Sequence, residues 1–437
     1  MVVVVEEHCG RFILGATIPP QGMEVNPLEY NAEISIMENT MHLNQQFELI
    51  RQSATVAMAD RVAALNASGR RIIPLQVGDP NFPTPQPILE VALRAMQDGL
   101  THYSPSRGFA DLRQAAASKL NRDHGLNYDP DAEVLVTHGG IHAYYLALQS
   151  ILEPGDGVLV PDPTWATHAN MAVMLRGVVT RVPAHAEDGF LPTFEAWEQA
   201  LTSRTRVIVL NYPSNPTGAY PSRAYLGRLQ EFAAAHHLWI VSDEVYENLY
   251  YGEKPVSAGA FRGAKERTLL VHSLSKTYAM TGWRVGYLAA PARVIENALK
   301  AGQNSITCVA PFIQKAAAFA LTDPGVQAAA ADMRAQYARR RDLVLRAAAR
   351  FESEKMRVTP PMGAFYFFLD FRALGLPSLT ICERILEEAG VGLVPGSAFG
   401  AQGEGFVRLS IAASDADVEA GFKKIVEWAE RQQTKGG

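Results

Sequence analysis

The feature that most restricts this chain is a succession of short, almost unbroken apolar runs between Glu133 and Ala290: EVLVTHGG, GVLVPDP, RVIVLNYPSNP, LWIVSDEVY, TLLVHSLSK and VGYLAA. A strand with one wet face alternates apolar and polar residues, so a run without alternation must be covered on both faces. Stretches with helical spacing separate the runs. The combination predicts an α/β domain with a mostly parallel sheet between helices. Ligands of such sheets collect outside the carboxyl ends of the strands, and there each run leads into a stretch bearing Gly, Pro or Ser.

The flanking segments read differently. Met58, Val62 and Leu65 have helical spacing, Gly69 stops that helix, and an extended run ends at Gly78, Asp79 and Pro80. From about residue 335 a long basic helix pattern, MRAQYARRRDLVLRAAARF, precedes GAFYFFLDF, a further helix and GFVRLSIAA, a smaller α+β arrangement. The expected organisation is an extension over 1–45, the first part of a small domain over 46–80, a large domain over 81–334 and the rest of the small domain over 335–437. The extension lacks periodicity and carries alternative start methionines at Met23, Met37 and Met41. It reads as an added segment, a partner-wrapping arm or a mistaken start, and no catalytic role is assigned to it.

A chain of 437 residues with 48% hydrophobic content can bury a substantial core. Forty basic residues against 45 acidic ones give a net charge of −5, with no basic tract to follow a phosphate backbone, which argues against nucleic acid. The three cysteines, Cys9, Cys308 and Cys382, form no CxxC pair and no spacing with His that suits a metal; no metal site is expected, and a reducing cytoplasm fits best. The opening MVVVVEEHCG lacks the positive start of a signal peptide. No run of about 18 apolar residues occurs, so no membrane span is expected.

Lys276 carries the chemical question. A lysine beside apolar strand residues is either solvated at the strand end or partly desolvated with a lowered pKa, the state that suits Schiff-base chemistry. Ser273, Ser275 and Arg284 add two hydroxyls and a guanidinium, groups that grip a phosphate. A phosphate-bearing aldehyde matches both features. Asp243 ends LWIVSD, where a buried carboxylate meets a cation or caps a helix begun by EVYENLYY. Arg408, inside GFVRLSIAA, needs a carboxylate from the protein or from a ligand, which its planar fork binds bidentately. Gly139, Gly140 and Ile141 open a helix whose first amides would face an anion, although Gly pairs also simply close loops.

The stretch SLSKTYAMTGWRVGYL, with its arginine eight residues after the lysine, resembles the cofactor-lysine signature of the class I aminotransferases, which are fold type I pyridoxal-phosphate enzymes. Further motifs follow in the family's order from about residue 46 to the end. The resemblance implies a seven-stranded sheet in the large domain, pyridoxal 5′-phosphate as cofactor, an amino acid and a 2-oxo acid as substrates, and a homodimer with shared active sites. It implies that Lys276 forms the Schiff base and shuttles the substrate proton, that Asp243 meets the pyridinium nitrogen, and that Tyr246 meets the ring's phenolic oxygen. Asn215, in NYPSNPTGAY, would reach that oxygen and the substrate carboxylate. Gly139, Gly140, Ile141, Ser273, Ser275 and Arg284 would hold the phosphate, and Trp165, in PDPTWATH, would stack on the ring. Arg408 and the backbone at Gly78 would take the substrate carboxylate, and Tyr103, in HYSPSRGFADLR, would cross to the neighbour's phosphate.

His142 departs from the family pattern and reads as a histidine at the surface or supporting the site from behind. Taken singly, Tyr246 and Trp165 also read as core aromatics, Asn215-Pro216 as a plain turn, Tyr103 as a loop residue and Arg107 as a surface charge. The expected reaction is transfer of an amino group from an L-amino acid to a 2-oxo acid. The same constellation also serves β- or γ-elimination, replacement, cyclisation or amino-acid oxidation. A sensing protein with an aminotransferase-like domain would carry a DNA-binding module, and nothing in residues 1–45 has that pattern.

Overall fold

The computed structural model describes residues 3–7, 10–14, 43–50, 54–351 and 354–432. Its contacts separate Met1–Gln45 from a compact unit over Gln46–Gly437. In the first unit Val3–Glu7 and Gly10–Leu14 pair as antiparallel strands. The remainder of the expected extension up to residue 42, with Cys9, Met23, Met37 and Met41, lies outside the described residues.

Every apolar run becomes a strand of one seven-stranded sheet, in the spatial order Val134–Thr137, Gly286–Ala289, Thr268–Ser273, Trp239–Asp243, Thr205–Asn211, Gly157–Asp162, Val178–Pro183. Neighbours are parallel except around Gly286–Ala289, which runs antiparallel to both of its partners. The missing alternation has a direct cause. On Thr205–Asn211, Val207 and Val209 pack with Ala143, Leu148 and Ile295 on one side, while Ile208 and Leu210 pack with Leu226 and Leu229 on the other. Val178–Pro183 escapes the run pattern because it is an edge strand, largely accessible to solvent, that carries Thr180 and Arg181.

A second sheet is antiparallel and four-stranded, in the order Arg357–Val358, Tyr366–Asp370, Phe406–Ser410, Val394–Pro395. Only Ile73–Pro74 of the extended run before Gly78 enters a ladder, pairing in parallel with Val391–Gly392. The helix Ala54–Ala67 buries Met58 and Val62 as its spacing requires, and Gly69 follows it at φ 88°. The basic helix spans Pro324–Ala348 and begins earlier than its basic pattern. Asp323 sets that start, because its carboxylate accepts from the Val326 amide while Pro324 occupies the first turn.

The parallel register fixes where chemistry can gather. Asn211 lies opposite Asp243, and Asp243 opposite Val271, so the carboxyl ends of three adjacent strands deliver Asn211, Asp243 and Ser273 to one rim.

Candidate active site

At that rim lies a cavity of about 310 Å³ lined by Gly78, Gly140, Ile141, Trp165, Asn215, Asp243, Tyr246, Ser273, Ser275, Lys276, Arg284 and Arg408. Two residues expected in the site are absent from this lining. Gly139 stands behind it, and Tyr103 is 88% exposed on a loop. The lining also includes Thr55, Asn211, Val245, Thr281 and Tyr366, none of which the motifs had singled out.

Lys276 is half-buried, and its Nζ donates to the Gly78 carbonyl at 2.6 Å. Desolvation, only partly offset by Asp79, lowers its pKa to about 8. The amine therefore becomes nucleophilic near neutrality, which answers the choice posed by its sequence position.

Asp243 is buried, and its carboxylate is held from behind. Its Oδ2 lies 2.9 Å from His168 Nε2, and its Oδ1 accepts the Val245 amide at 3.2 Å. No helix follows Asp243, so the capping alternative reduces to that one turn contact. His168 is fully buried, its ring edge-on to Trp165 at 5.3 Å. A signal for it did exist: Trp165 and His168 are three residues apart at a helix start, a spacing that puts both on one face.

The anion-binding side is built from a helix end, two hydroxyls and a guanidinium. The helix Gly139–Ile151 starts against Arg284, which donates through Nη1 to the Thr281 carbonyl at 2.8 Å. Gly139 has φ 75°, a conformation that favours glycine, and a Cβ there would lie 2.7 Å from Arg284 Nη2 and displace the guanidinium. Ser273 Oγ donates to Ser275 Oγ at 2.9 Å beside them. His142 is outside the lining. Its Nδ1 accepts the His138 amide, and burial with the nearby His138 charge lowers its pKa to about 4. Arg107 donates to the Ala132 carbonyl at 3.4 Å.

Arg408 is buried in the strand Phe406–Ser410. Its Nη1 donates to Asn215 Oδ1 at 2.9 Å, its Nη2 to the Gln76 carbonyl at 2.7 Å, and its Nε has no partner. No carboxylate among the described residues pairs with it, so the internal salt bridge left open by the sequence is not made. The Tyr366 and Phe399 rings lie 4.4 and 5.1 Å from its Cζ. Asn215 in turn is fixed through its amide, which donates to Asn211 Oδ1 at 3.0 Å. Tyr246 Oη is 3.0 Å from Tyr366 Oη, with both rings buried. Away from the cavity, His124, Glu244 and Glu247 lie close enough to share an ion, but the Lys119 ammonium already pairs with Glu247.

The combination is a nucleophilic amine, a buried carboxylate, an anion cradle and an unpaired guanidinium around one cavity. It suits an anionic carbonyl cofactor that reacts with a carboxylate-bearing amine. The family described as aminotransferase class I and II matches residues 70–425. An aspartate aminotransferase of Pyrococcus abyssi is 38% identical over 85% of this chain and 97% of its own length. The aromatic-amino-acid aminotransferase 2 of Thermococcus litoralis is 37% identical over 88% and 97%. The solved aspartate aminotransferase of Thermus thermophilus with maleate superposes with a TM-score of 0.84, at 36% identity, covering 89% of this chain and all of that one. None of the three is named for elimination, replacement, cyclisation or oxidation. On these grounds the chain belongs to the class I and II aminotransferase family.

Proposed function

We propose that Lys276 performs the amino-group transfer of this family, with Arg408 holding the substrate carboxylate and pyridoxal 5′-phosphate as the cofactor. The observation that carries this reading is the buried Arg408 guanidinium, which has an unpartnered Nε and no protein carboxylate. A buried guanidinium without a counter-ion is costly unless a ligand supplies one.

The chain's residues fit the cofactor. Arg284, Ser273, Ser275 and the amides of Gly140 and Ile141 would hold its phosphate, and Asp243 its ring nitrogen. Trp165 would lie against the ring, and Tyr246 and Asn215 would face its phenolic oxygen. When bound, the cofactor supplies a carbonyl carbon for the amine and an electron-withdrawing ring that acidifies the substrate Cα–H.

The protein's part is to bind, orient and move protons. Arg408 fixes the carboxylate of the incoming amino acid, and the Asn215 side chain that Arg408 already engages sits beside it. This restricts rotation about the substrate's Cα. Lys276, already desolvated, would act as the general base for the Cα proton of a bound amino acid and carry that proton until it is returned. His168 keeps the Asp243 carboxylate oriented toward the ring nitrogen. A 2-oxo acid bound at the same guanidinium runs these steps in reverse.

Three further elements belong to the proposal. The chain works as a homodimer, to which the exposed Tyr103 loop offers a residue for the neighbouring site. Residues 46–80 act with 335–437 as a small lobe beside 81–334, supported by the pairing of Ile73–Pro74 with Val391–Gly392. The compartment is the cytoplasm, consistent with a chain in which no described helix is long and apolar enough to cross a membrane.

Reconstitution tests the anchor. Only the neutral amine attacks an aldehyde, and a lysine whose pKa is lowered to about 8 is neutral above that pH. The rate at which apoenzyme acquires a visible band with pyridoxal phosphate should rise about tenfold per pH unit below 8 and level off above it. Borohydride should then fix the label on the peptide containing Lys276. A rate still climbing at pH 10, or a label on another lysine, contradicts the assignment.

A further inference from the structure

We propose that Tyr366 is a positioning residue for the transfer reaction, its hydroxyl setting the direction of the Tyr246 hydroxyl and its ring bracing the Arg408 guanidinium. The proposal rests on the roles given above to Lys276, Tyr246 and Arg408. Nothing in GAFYFFLDF distinguishes this tyrosine from the phenylalanines beside it, which are ordinary core residues. The structure does.

Tyr366 opens the strand Tyr366–Asp370 opposite Ser410, so Arg408 is its diagonal neighbour on the same face of the sheet. Its ring centroid lies 4.4 Å from Arg408 Cζ. An aromatic face attracts a guanidinium without neutralising it, and so holds Arg408 in place while leaving its charge and remaining N–H groups for a substrate carboxylate. A glutamate or aspartate in that position would occupy the fork instead.

The hydroxyl has a separate task. Tyr366 Oη is 3.0 Å from Tyr246 Oη, and either can be the donor. Each phenol has one proton. While the two hydroxyls are paired, Tyr246 directs its proton to an acceptor on a bound ligand when Tyr366 donates to Tyr246, and that donation makes the Tyr246 O–H a stronger donor. Burial raises the pKa of both hydroxyls, so both stay protonated and the relay stays intact. The same Oη also packs on Gly78, where a Cβ would lie 2.6 Å away, and the Gly78 carbonyl accepts from Lys276. One phenol thus touches the segment that holds the amine, the tyrosine aimed at the cofactor and the carboxylate-binding arginine.

Tyr366→Phe removes the hydroxyl and keeps the ring. A donor to a phenolate lowers its basicity, so loss of the relay should raise the pH midpoint of the loaded enzyme's visible band by about 0.7 unit, the fivefold change expected of one hydrogen bond. The apoenzyme's affinity for pyridoxal phosphate, followed by fluorescence, should fall about fivefold as well. Combined with Tyr246→Phe, it should add nothing further to either quantity, because the relay ends at Tyr246. Tyr366→Leu, which also removes the ring, should raise KM for the amino donor about tenfold, whereas Tyr366→Phe should leave KM within about twofold. An unshifted midpoint with unchanged affinity in Tyr366→Phe, or losses that add in the double variant, would overturn the proposal alone. A wild-type enzyme that acquires no visible band with the cofactor would overturn it together with the assignment of Lys276.

Discussion

Lys276→Ala loses the visible band of the cofactor-loaded enzyme and about 10⁴-fold in turnover, the upper range for removal of a positioned general base. The size of the effect follows from the two tasks placed on one amine. Without it the cofactor has no covalent anchor, and no group among the cavity-lining residues is a comparable base: Asp243 is tied to His168, and the Arg284 and Arg408 guanidiniums do not give up a proton. The fold should survive. Nζ makes one hydrogen bond, to Gly78, worth about 1 kcal/mol net. Thermal unfolding of the apoenzyme should therefore shift by only a few degrees. Added alkylamines should restore part of the lost turnover, because they replace the base without the anchor. A variant that keeps more than a tenth of wild-type activity would mean that another residue takes the proton.

Arg408→Gln is the second large effect. Glutamine can still reach a carbonyl or an amide, but it carries no charge and no fork. Truncating one partner of a buried, hydrogen-bonded charge pair costs about 2–5 kcal/mol. For the substrate carboxylate that corresponds to a loss of about 30- to 5,000-fold in kcat/KM, expressed mainly in KM. Arg408→Lys should recover little of it, since an ammonium cannot replace both Nη contacts, to Asn215 and Gln76, and also face a ligand. Cofactor affinity should change far less than KM, because Arg408 is assigned to the substrate and not to the phosphate cradle. Steady-state kinetics alongside cofactor titration separates the two, and a cofactor defect larger than the KM defect contradicts the assignment.

Much of this architecture was legible in the sequence because burial on both faces leaves a direct record. Each unalternating run became a strand, and on three of them the polar residue at the carboxyl end, Asn211, Asp243 or Ser273, lines the cavity. The spacing from Lys276 to Arg284 was informative because both residues lie in the connection between the antiparallel strands Thr268–Ser273 and Gly286–Ala289, which returns the arginine to the helix start at Gly139. What the sequence hid falls into physical classes. Val178–Pro183 is an edge strand that needs no apolar run. Tyr366 looks like core, because its polar partner is more than a hundred residues away. Asn211 stands in the turn-rich NYPSNP stretch, where a strand-end asparagine and a turn asparagine look alike. Whether Arg408 met a protein carboxylate was a question of three-dimensional neighbours, and only the fold could exclude the salt bridge.

The measurement that tests the central claim most directly is a half-reaction. Purified enzyme loaded with pyridoxal phosphate is mixed with single L-amino acids in the absence of any 2-oxo acid, while absorbance is followed and the products are counted. The account predicts that at least one amino acid converts the visible band stoichiometrically to that of the aminated cofactor and releases one equivalent of its 2-oxo acid, and that Lys276→Ala does neither. A band that persists with every amino acid, or long-wavelength absorbance that builds without amination of the cofactor, would contradict amino-group transfer at this site.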